Sequence, residues 1–155
     1  MNKILLSAAL TFAIVTICPA QTPTPAAAAA KSSGMPYTEG PVWTLTMIRT
    51  KPGLEDEYLR QITGTVKPVY EAEKNQKLVL DYKILIGDAM GPNDANIVIL
   101  VEFANMAAFD GLREKTDPIL QKVMGSDDQQ RTTMVKRLDV REILGTKTMR
   151  EITLK

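Results

Sequence analysis

The chain of 155 residues contains no histidine and only one cysteine, Cys18. These absences exclude an imidazole general base, a disulfide framework, and zinc or haem sites built from the usual ligands. Cleavage after Ala20 would also remove Cys18 and with it any thiol nucleophile. We therefore expect a mature protein with no metal and no cofactor.

An excess of charge of one sign is also missing, because 19 Lys and Arg residues oppose 18 Asp and Glu residues. Surfaces that bind nucleic acids usually carry a basic excess. We therefore expect no nucleic-acid partner.

Residues 1–20 have the composition of a secretory signal peptide. Lys3 precedes an apolar run, residues 4–18, and Pro19 and Ala20 follow it, which is the charged, apolar and small-residue order of such signals. The run is shorter than the ~20 apolar residues that a membrane-spanning helix needs. We predict export to the periplasm or the medium of a bacterium, with no membrane contact after cleavage. A lipoprotein signal at Cys18 is the alternative, although Ile17 is not the small residue expected before such a cysteine.

The next segment, residues 21–40, reads QTPTPAAAAAKSSGMPYTEG and has few large apolar residues. Such a composition cannot bury enough apolar surface to order itself. We predict a disordered linker over 21–40 and one domain over 41–155, a length typical of single domains.

Hydrophobic patterns in 41–155 predict the order strand, helix, strand, strand, helix, strand. The predicted strands cover 42–50, 78–86, 97–103 and about 140–154, and the predicted helices run from 54 to about 75 and from 105 onward. Gly64 and Pro68 predict a kink or a break in the first helix, and Asp117-Pro118 predicts a restart in the second. Residues 126–137 form either a short helix, with Ser126 and Gln129 as its capping box, or a polar connection.

This order is the βαββαβ arrangement of a ferredoxin-like α+β domain, in which two helices cover one face of an antiparallel four-stranded sheet. The third strand is apolar on both faces, because Val98 and Leu100 alternate with four further apolar residues, Ile97, Ile99, Val101 and Phe103. One of its faces lacks a predicted cover, and soluble proteins seldom leave such a patch in water. We predict that a second copy covers it in a homodimer.

Several stretches resemble the dimeric α/β-barrel superfamily: RTKPGLEDEYL at the end of the first strand and VEFANMAAFDGL after the third. VWTLTMIRTKPG together with REILGTKTMRE is similar to a group of exported bacterial proteins without an assigned role. The superfamily includes antibiotic-biosynthesis-type monooxygenases and haem-degrading enzymes. The haem-degrading members depend on a histidine, so the resemblance does not extend that activity to this chain.

The resemblance also implies an enzymatic hypothesis, because cofactor-free oxygenases of the superfamily hold aromatic substrates in an apolar cavity. Trp43, Tyr82 and Arg49 would then supply stacking, a hydroxyl group and an anion-binding group. The competing interpretation, which we favour, is that the two aromatic residues belong to the core and Arg49 ends a strand.

Oxygen-bearing side chains follow the second strand, and calcium takes such ligands. The spacing lacks the glycine and the distal glutamate of an EF-hand, so we predict a turn rather than a metal site. The residues concerned are Asp88, Asn93, Asp94 and Asn96.

A near-repeat closes the chain, since Arg141-Glu142-Ile143 returns as Arg150-Glu151-Ile152. A spacing of nine residues sends the two copies to opposite faces of a regular strand. A one-residue bulge at Gly145 would return both to the same faces. We predict this bulge, and ion pairs from Arg141, Glu142, Arg150 and Glu151 that fix the register of the dimer. Alternatively, Arg141 and Arg150 bind a carboxylate or phosphate of a ligand.

These patterns favour a protein that binds a small apolar or anionic molecule, or a partner, in the cavity of the dimer. Two alternatives stay open. One is a cofactor-independent monooxygenase acting on a small aromatic or apolar substrate. The other is a structural or protein-interaction module with no ligand.

Overall fold

The computed structural model describes residues 34–155. The predicted signal peptide and most of the predicted linker lie outside this range. The elements are β1 (Tyr37–Thr50), α1 (Glu55–Asn75), β2 (Asp81–Ile86), β3 (Ile97–Phe103), a 3₁₀ helix (Met106–Phe109), α2 (Leu112–Met124), α3 (Asp127–Leu138) and β4 (Arg141–Leu154). No helix in 34–155 is long and apolar enough to cross a membrane.

The four strands form one antiparallel sheet in the order β2-β3-β1-β4. Its two central strands, β1 and β3, come from the two halves of a βαββαβ chain. The fold is ferredoxin-like. The fold class and the central positions of β1 and β3 are confirmed.

One face of the sheet packs against the helices and forms the core. Alternate residues of β1 and β3 point to this side, because strand side chains alternate in direction. Tyr58 and Ile62 of α1 pack against them and are each 2% exposed. The buried strand residues are Val42, Ile48, Ile97, Ile99, Val101 and Phe103.

The opposite side of the sheet, which we call the open face, carries the other residues of each strand. Leu45 of β1 is directly opposite Leu100 of β3, and Met47 is opposite Val98. All four are half-buried rather than buried. The prediction that β3 is apolar on both sides is confirmed, and none of the helices in residues 34–155 packs on the second side.

The start of β1 corrects the predicted linker boundary. The strand begins at Tyr37, inside the segment 21–40, because Tyr37 pairs with Leu154 and Glu39 pairs with Ile152 of β4. Lys155 N–H also donates to the carbonyl of Pro36 at 3.0 Å. The segment 37–40 is polar, and its order comes from backbone pairing with β4 rather than from burial.

The helices also bear on two predictions, a kink or a break in the first helix and a restart in the second. α1 continues through Gly64 and Pro68 without a break, because Ile62 and Val69 are buried on either side of the proline and hold both halves against the sheet. α2 continues through Pro118. Its chain direction changes instead at Gly111, which adopts φ 62° between the 3₁₀ helix and α2.

Of the two alternatives predicted for residues 126–137, the short helix is the one present, as α3. Ser126 N–H donates to Gln129 Oε1 at 2.8 Å, which is the side-chain arm of a capping box. Arg137 near the end of α3 is buried, and this helix therefore contributes a charged side chain to the interior.

Candidate functional site

The predicted bulge is present in β4. Met47 is opposite Gly145, whereas the next residue of β1, Ile48, is opposite Ile143, so Leu144 is the extra residue. Met47 also lies close to this point, because a Cβ on Gly145 would be 3.4 Å from its Cε. The bulge places both arginines of the near-repeat on the helix side of the sheet and both glutamates on the open face.

The two arginines lie far apart in one chain. Arg141 is opposite Thr50 and Arg150 is opposite Val42, so about 26 Å of strand separates them at ~3.3 Å per residue. Arg150 forms an ion pair with Glu39 of the same chain, on the neighbouring strand. Within one chain, Arg141 and Arg150 are therefore too far apart to bind the same carboxylate or phosphate, and the ligand alternative stays a prediction.

The three residues of the enzymatic hypothesis do not converge either. Trp43 lies on the open face, where its Nε1–H donates to Glu151 Oε2 at 2.9 Å and Lys83 Nζ is 5.2 Å from its ring. Tyr82 lies on the helix side, where its hydroxyl donates to Glu71 at 2.7 Å. The alternation of strand side chains separates them, so a single pocket lined by Trp43, Tyr82 and Arg49 is not formed by one chain.

Arg49 lies at the end of β1 beside an open cleft of about 430 Å³. Its NH1 donates to the carbonyl of Gly91 at 3.4 Å. Asn96, on the wall of this cleft, accepts from Thr50 N–H at 2.9 Å through Oδ1 and donates to the Thr50 hydroxyl through Nδ2. Arg49 and Asn96 therefore hold the loop between β2 and β3 in place.

Asp94 in the same loop caps two backbone groups, accepting from Met90 N–H at 2.8 Å and from Ala95 N–H at 2.9 Å. Its carboxylate oxygens are thus used in turn formation. Within residues 34–155, no group of three or more acidic side chains is placed to hold a metal ion.

Buried Arg137 and half-buried Arg141 lie together, an arrangement that the sequence did not predict. Arg137 is 6% exposed, and its NH2 donates to the hydroxyl of Thr65 on α1. The guanidinium of Arg141 lies 5.6 Å from the centre of the Tyr58 ring. Arg137 Nε, Arg141 Nε and Arg141 NH1 are buried without a hydrogen-bond partner among the described residues. We call this set, Tyr58, Thr65, Arg137 and Arg141, the arginine compartment.

The electrostatics of this region reflect burial. Desolvation lowers the pKa of the Arg137 guanidinium, although the hydroxyl of Tyr58 acts in the opposite direction, and the positive charge of Arg141 lowers it further. Burial raises the pKa of Tyr70 to about 12, and the nearby carboxylate of Glu73 adds to this rise. Burial also raises the pKa of Glu73 itself. Desolvation is thus the leading cause of each of these three shifts.

The sequence signal for the arginine compartment is weak. Arg137 ends a polar helix and Arg141 begins a charged strand, so both have the sequence context of surface residues. The one sequence feature that indicates burial here is Val140, an isolated apolar residue between Arg137 and Arg141. In the structure it is 7% exposed. Its burial draws the flanking backbone, and with it both arginines, toward the core.

The open face is apolar at its centre and charged at its borders. One row across the four strands reads Lys83, Leu100, Leu45 and Lys147, and the next reads Leu85, Val98, Met47 and Gly145. Leu85 is 53% exposed and Met149 is 50% exposed. Acidic residues occur at both ends of the face, namely Glu102, Glu142 and Glu151. The face thus combines an apolar centre with charges of both signs.

Comparison with models of protein families found no match, and comparison with curated proteins found none of significant similarity. Solved structures do align with the chain. HapK from Hahella chejuensis is 12% identical with a TM-score of 0.46, and the alignment covers 71% of this chain and 91% of HapK.

Two further structures align over similar ranges. A NIPSNAP family protein of unknown function from Agrobacterium tumefaciens is 15% identical with a TM-score of 0.46, covering 75% of this chain and 90% of that one. A protein from an uncultured marine organism, described as dimeric and ferredoxin-like, is 15% identical with a TM-score of 0.43, covering 74% and 97%. The fold assignment itself rests on the strand order and connections described above.

Proposed function

We propose that the protein is an exported homodimer in which the open faces of two copies pack together, and that it binds a small molecule in the chamber between them. The observation that carries this proposal is the open face, an apolar sheet surface with no cover among residues 34–155. Large apolar patches on soluble proteins usually mark interaction sites.

A second copy is the occupant that the charges of the face favour. In a two-fold interface the same surface meets itself, so each residue on one copy has a counterpart on the other. Lys83 and Lys147 flank the apolar centre, and Glu102, Glu142 and Glu151 lie toward its ends. The glutamates of one copy can therefore form ion pairs with the lysines of the other. The apolar centre of the interface consists of Leu45, Met47, Val98 and Leu100.

The chamber between two such faces suits a small apolar or anionic molecule. Trp43 presents an indole ring whose edge is fixed by its hydrogen bond to Glu151. Lys83 places a cation 5.2 Å from that ring. An aromatic plane with an adjacent cation can bind the ring and the charge of a small planar anion.

The dimer is tested with protein purified from the periplasm and measured by light scattering and native mass spectrometry at micromolar concentration. We expect a dimer for the wild type. Leu100→Glu places two carboxylates at the centre of the interface, where an unpaired buried charge costs several kcal/mol, and we expect Kd to rise by at least about 100-fold. Met106→Glu is the matched control, because Met106 lies on the 3₁₀ helix and is already 52% exposed.

A wild type that is monomeric at micromolar concentration would overturn the dimer, and so would a Leu100→Glu variant that dimerises like the control. The ligand is tested separately in the same spectra. A retained mass that is lost in Trp43→Ala supports the chamber, whereas a dimer that carries no added mass after mild purification leaves the dimer standing and counts against the ligand. N-terminal sequencing of the periplasmic protein is expected to begin at Gln21.

A further inference from the structure

The arginine compartment lies on the helix side of the sheet, away from the open face. It brings two guanidinium groups from α3 and β4 against α1. The ion pairs of residues 34–155 are formed by other residues, and no carboxylate in that range is paired with Arg137 or Arg141. The compartment therefore holds two like charges close together in a desolvated setting, which is unfavourable unless another group compensates them.

The backbone keeps both arginines in place. Val140 N–H donates to the carbonyl of Arg137 at 3.1 Å, and Lys51 N–H donates to the carbonyl of Val140 at 2.9 Å. These bonds join the end of α3 to the end of β1, and Val140 itself is buried. These bonds fix the backbone positions from which both arginine side chains extend.

The compensation available from residues 34–155 is incomplete. The face of the Tyr58 ring contacts Arg141, which provides a cation–π interaction, and the Thr65 hydroxyl accepts from Arg137. Three guanidinium nitrogen atoms still lack a partner among the described residues. Glu73 forms no ion pair with either arginine among residues 34–155.

We propose that Arg137 and Arg141 together bind a small oxyanion, a carboxylate or a phosphate group, between the helices and the sheet. Guanidinium groups bind both through paired N–H donors, and such charge-assisted hydrogen bonds are about twice as strong as neutral ones. An anion at this position satisfies the unpartnered N–H groups and removes the repulsion between the two charges. This site is separate from the chamber of the proposed dimer and does not depend on it.

The experiment uses the mature protein, residues 21–155, with inorganic phosphate and acetate as probes. Thermal unfolding is followed with each probe at constant ionic strength, maintained with sodium chloride, so that general screening is the same in every sample. A ligand that binds only the folded state raises Tm. We expect phosphate or acetate at saturation to raise Tm by at least about 3 °C over chloride alone.

Three variants locate the effect. Arg137→Gln and Arg141→Gln are each expected to raise the Kd of the anion at least tenfold, because each removes hydrogen-bond donors from one side of it. Arg131→Gln is the matched control, since Arg131 lies on the same helix but is exposed. Its anion-dependent rise in Tm should equal that of the wild type.

Isothermal titration of the wild type decides the matter if a variant fails to fold. One saturable site per chain for either probe supports the proposal. Saturation by phosphate alone indicates a phosphate-bearing ligand, and saturation by acetate alone indicates a carboxylate. If neither probe saturates, or if binding is undiminished in both folded glutamine variants, the proposal is overturned.

Discussion

Replacing Gly125 with alanine should destabilise the protein strongly. Gly125 ends α2 with φ 85° and ψ −156°, a region that is essentially confined to glycine, and placing another residue there costs about 1–3 kcal/mol. An added Cβ would also overlap the side-chain amide of Gln129. Moving that amide breaks the cap of α3, in which Gln129 accepts from Ser126 N–H at 2.8 Å, at a cost of about 1 kcal/mol.

Together these terms predict that the free energy of unfolding falls by about 2–4 kcal/mol in Gly125→Ala. Urea unfolding followed by circular dichroism measures it, with an unchanged slope showing that the midpoint shift reports a change in stability. Gly64→Ala is the matched control, because Gly64 lies inside α1 with no atom within 4 Å of the added Cβ. There the substitution should stabilise by about 0.5–1 kcal/mol.

The opposite signs of the two substitutions are the core of this test. A loss below about 1 kcal/mol in Gly125→Ala would mean that the α2–α3 junction adopts a conformation open to other residues. The position of α3, and with it that of Arg137, would then differ from the one described.

Two further predictions concern the core. Ile48→Ala should lower the free energy of unfolding by about 2–5 kcal/mol, since Ile48 is 1% exposed. Ile86→Ala, at the exposed end of β2, should change it by less than about 0.5 kcal/mol. Urea unfolding measures both variants. Glu73→Gln should stabilise the protein at pH 7. Burial raises the Glu73 pKa above its ordinary value, so its contribution to stability is greatest below that value and falls as pH rises through the folded pKa. A Glu73→Gln variant that is less stable than the wild type at pH 7, with the same pH profile, would contradict this reasoning.

The strand and helix order was predictable because it depends on hydrophobic periodicity. β3 shows this best, since Val98 and Leu100 alternate with buried neighbours and belong to the open face. The bulge beside Gly145 was predictable from the nine-residue spacing of the two Arg-Glu pairs. Both predictions depend on where side chains point along one strand, which the sequence encodes locally.

The candidate sites depend on contacts between residues that are distant in the sequence, and these contacts are not encoded locally. Trp43 and Tyr82 are both strand aromatics, but their faces are set by the register with β3, which no local pattern encodes. Within its own chain Arg150 pairs with Glu39, because β1 begins earlier than its apolar residues indicate. The ion pairs across a dimer stay a prediction. Arg137 is buried by the packing of α3, a helix whose existence the sequence left open.

The bond between Lys155 and Pro36 brings the two ends of the domain together at one corner of the sheet. A short peptide joining them would close the polypeptide into a ring without stretching β1 or β4. The ring can be reopened in the exposed loop between β2 and β3, giving a circular permutant that starts with β3 and keeps every strand neighbour. Such a rearranged chain moves both ends to the other edge of the sheet, where a fluorophore or a surface anchor can be attached at a distance from the joining peptide.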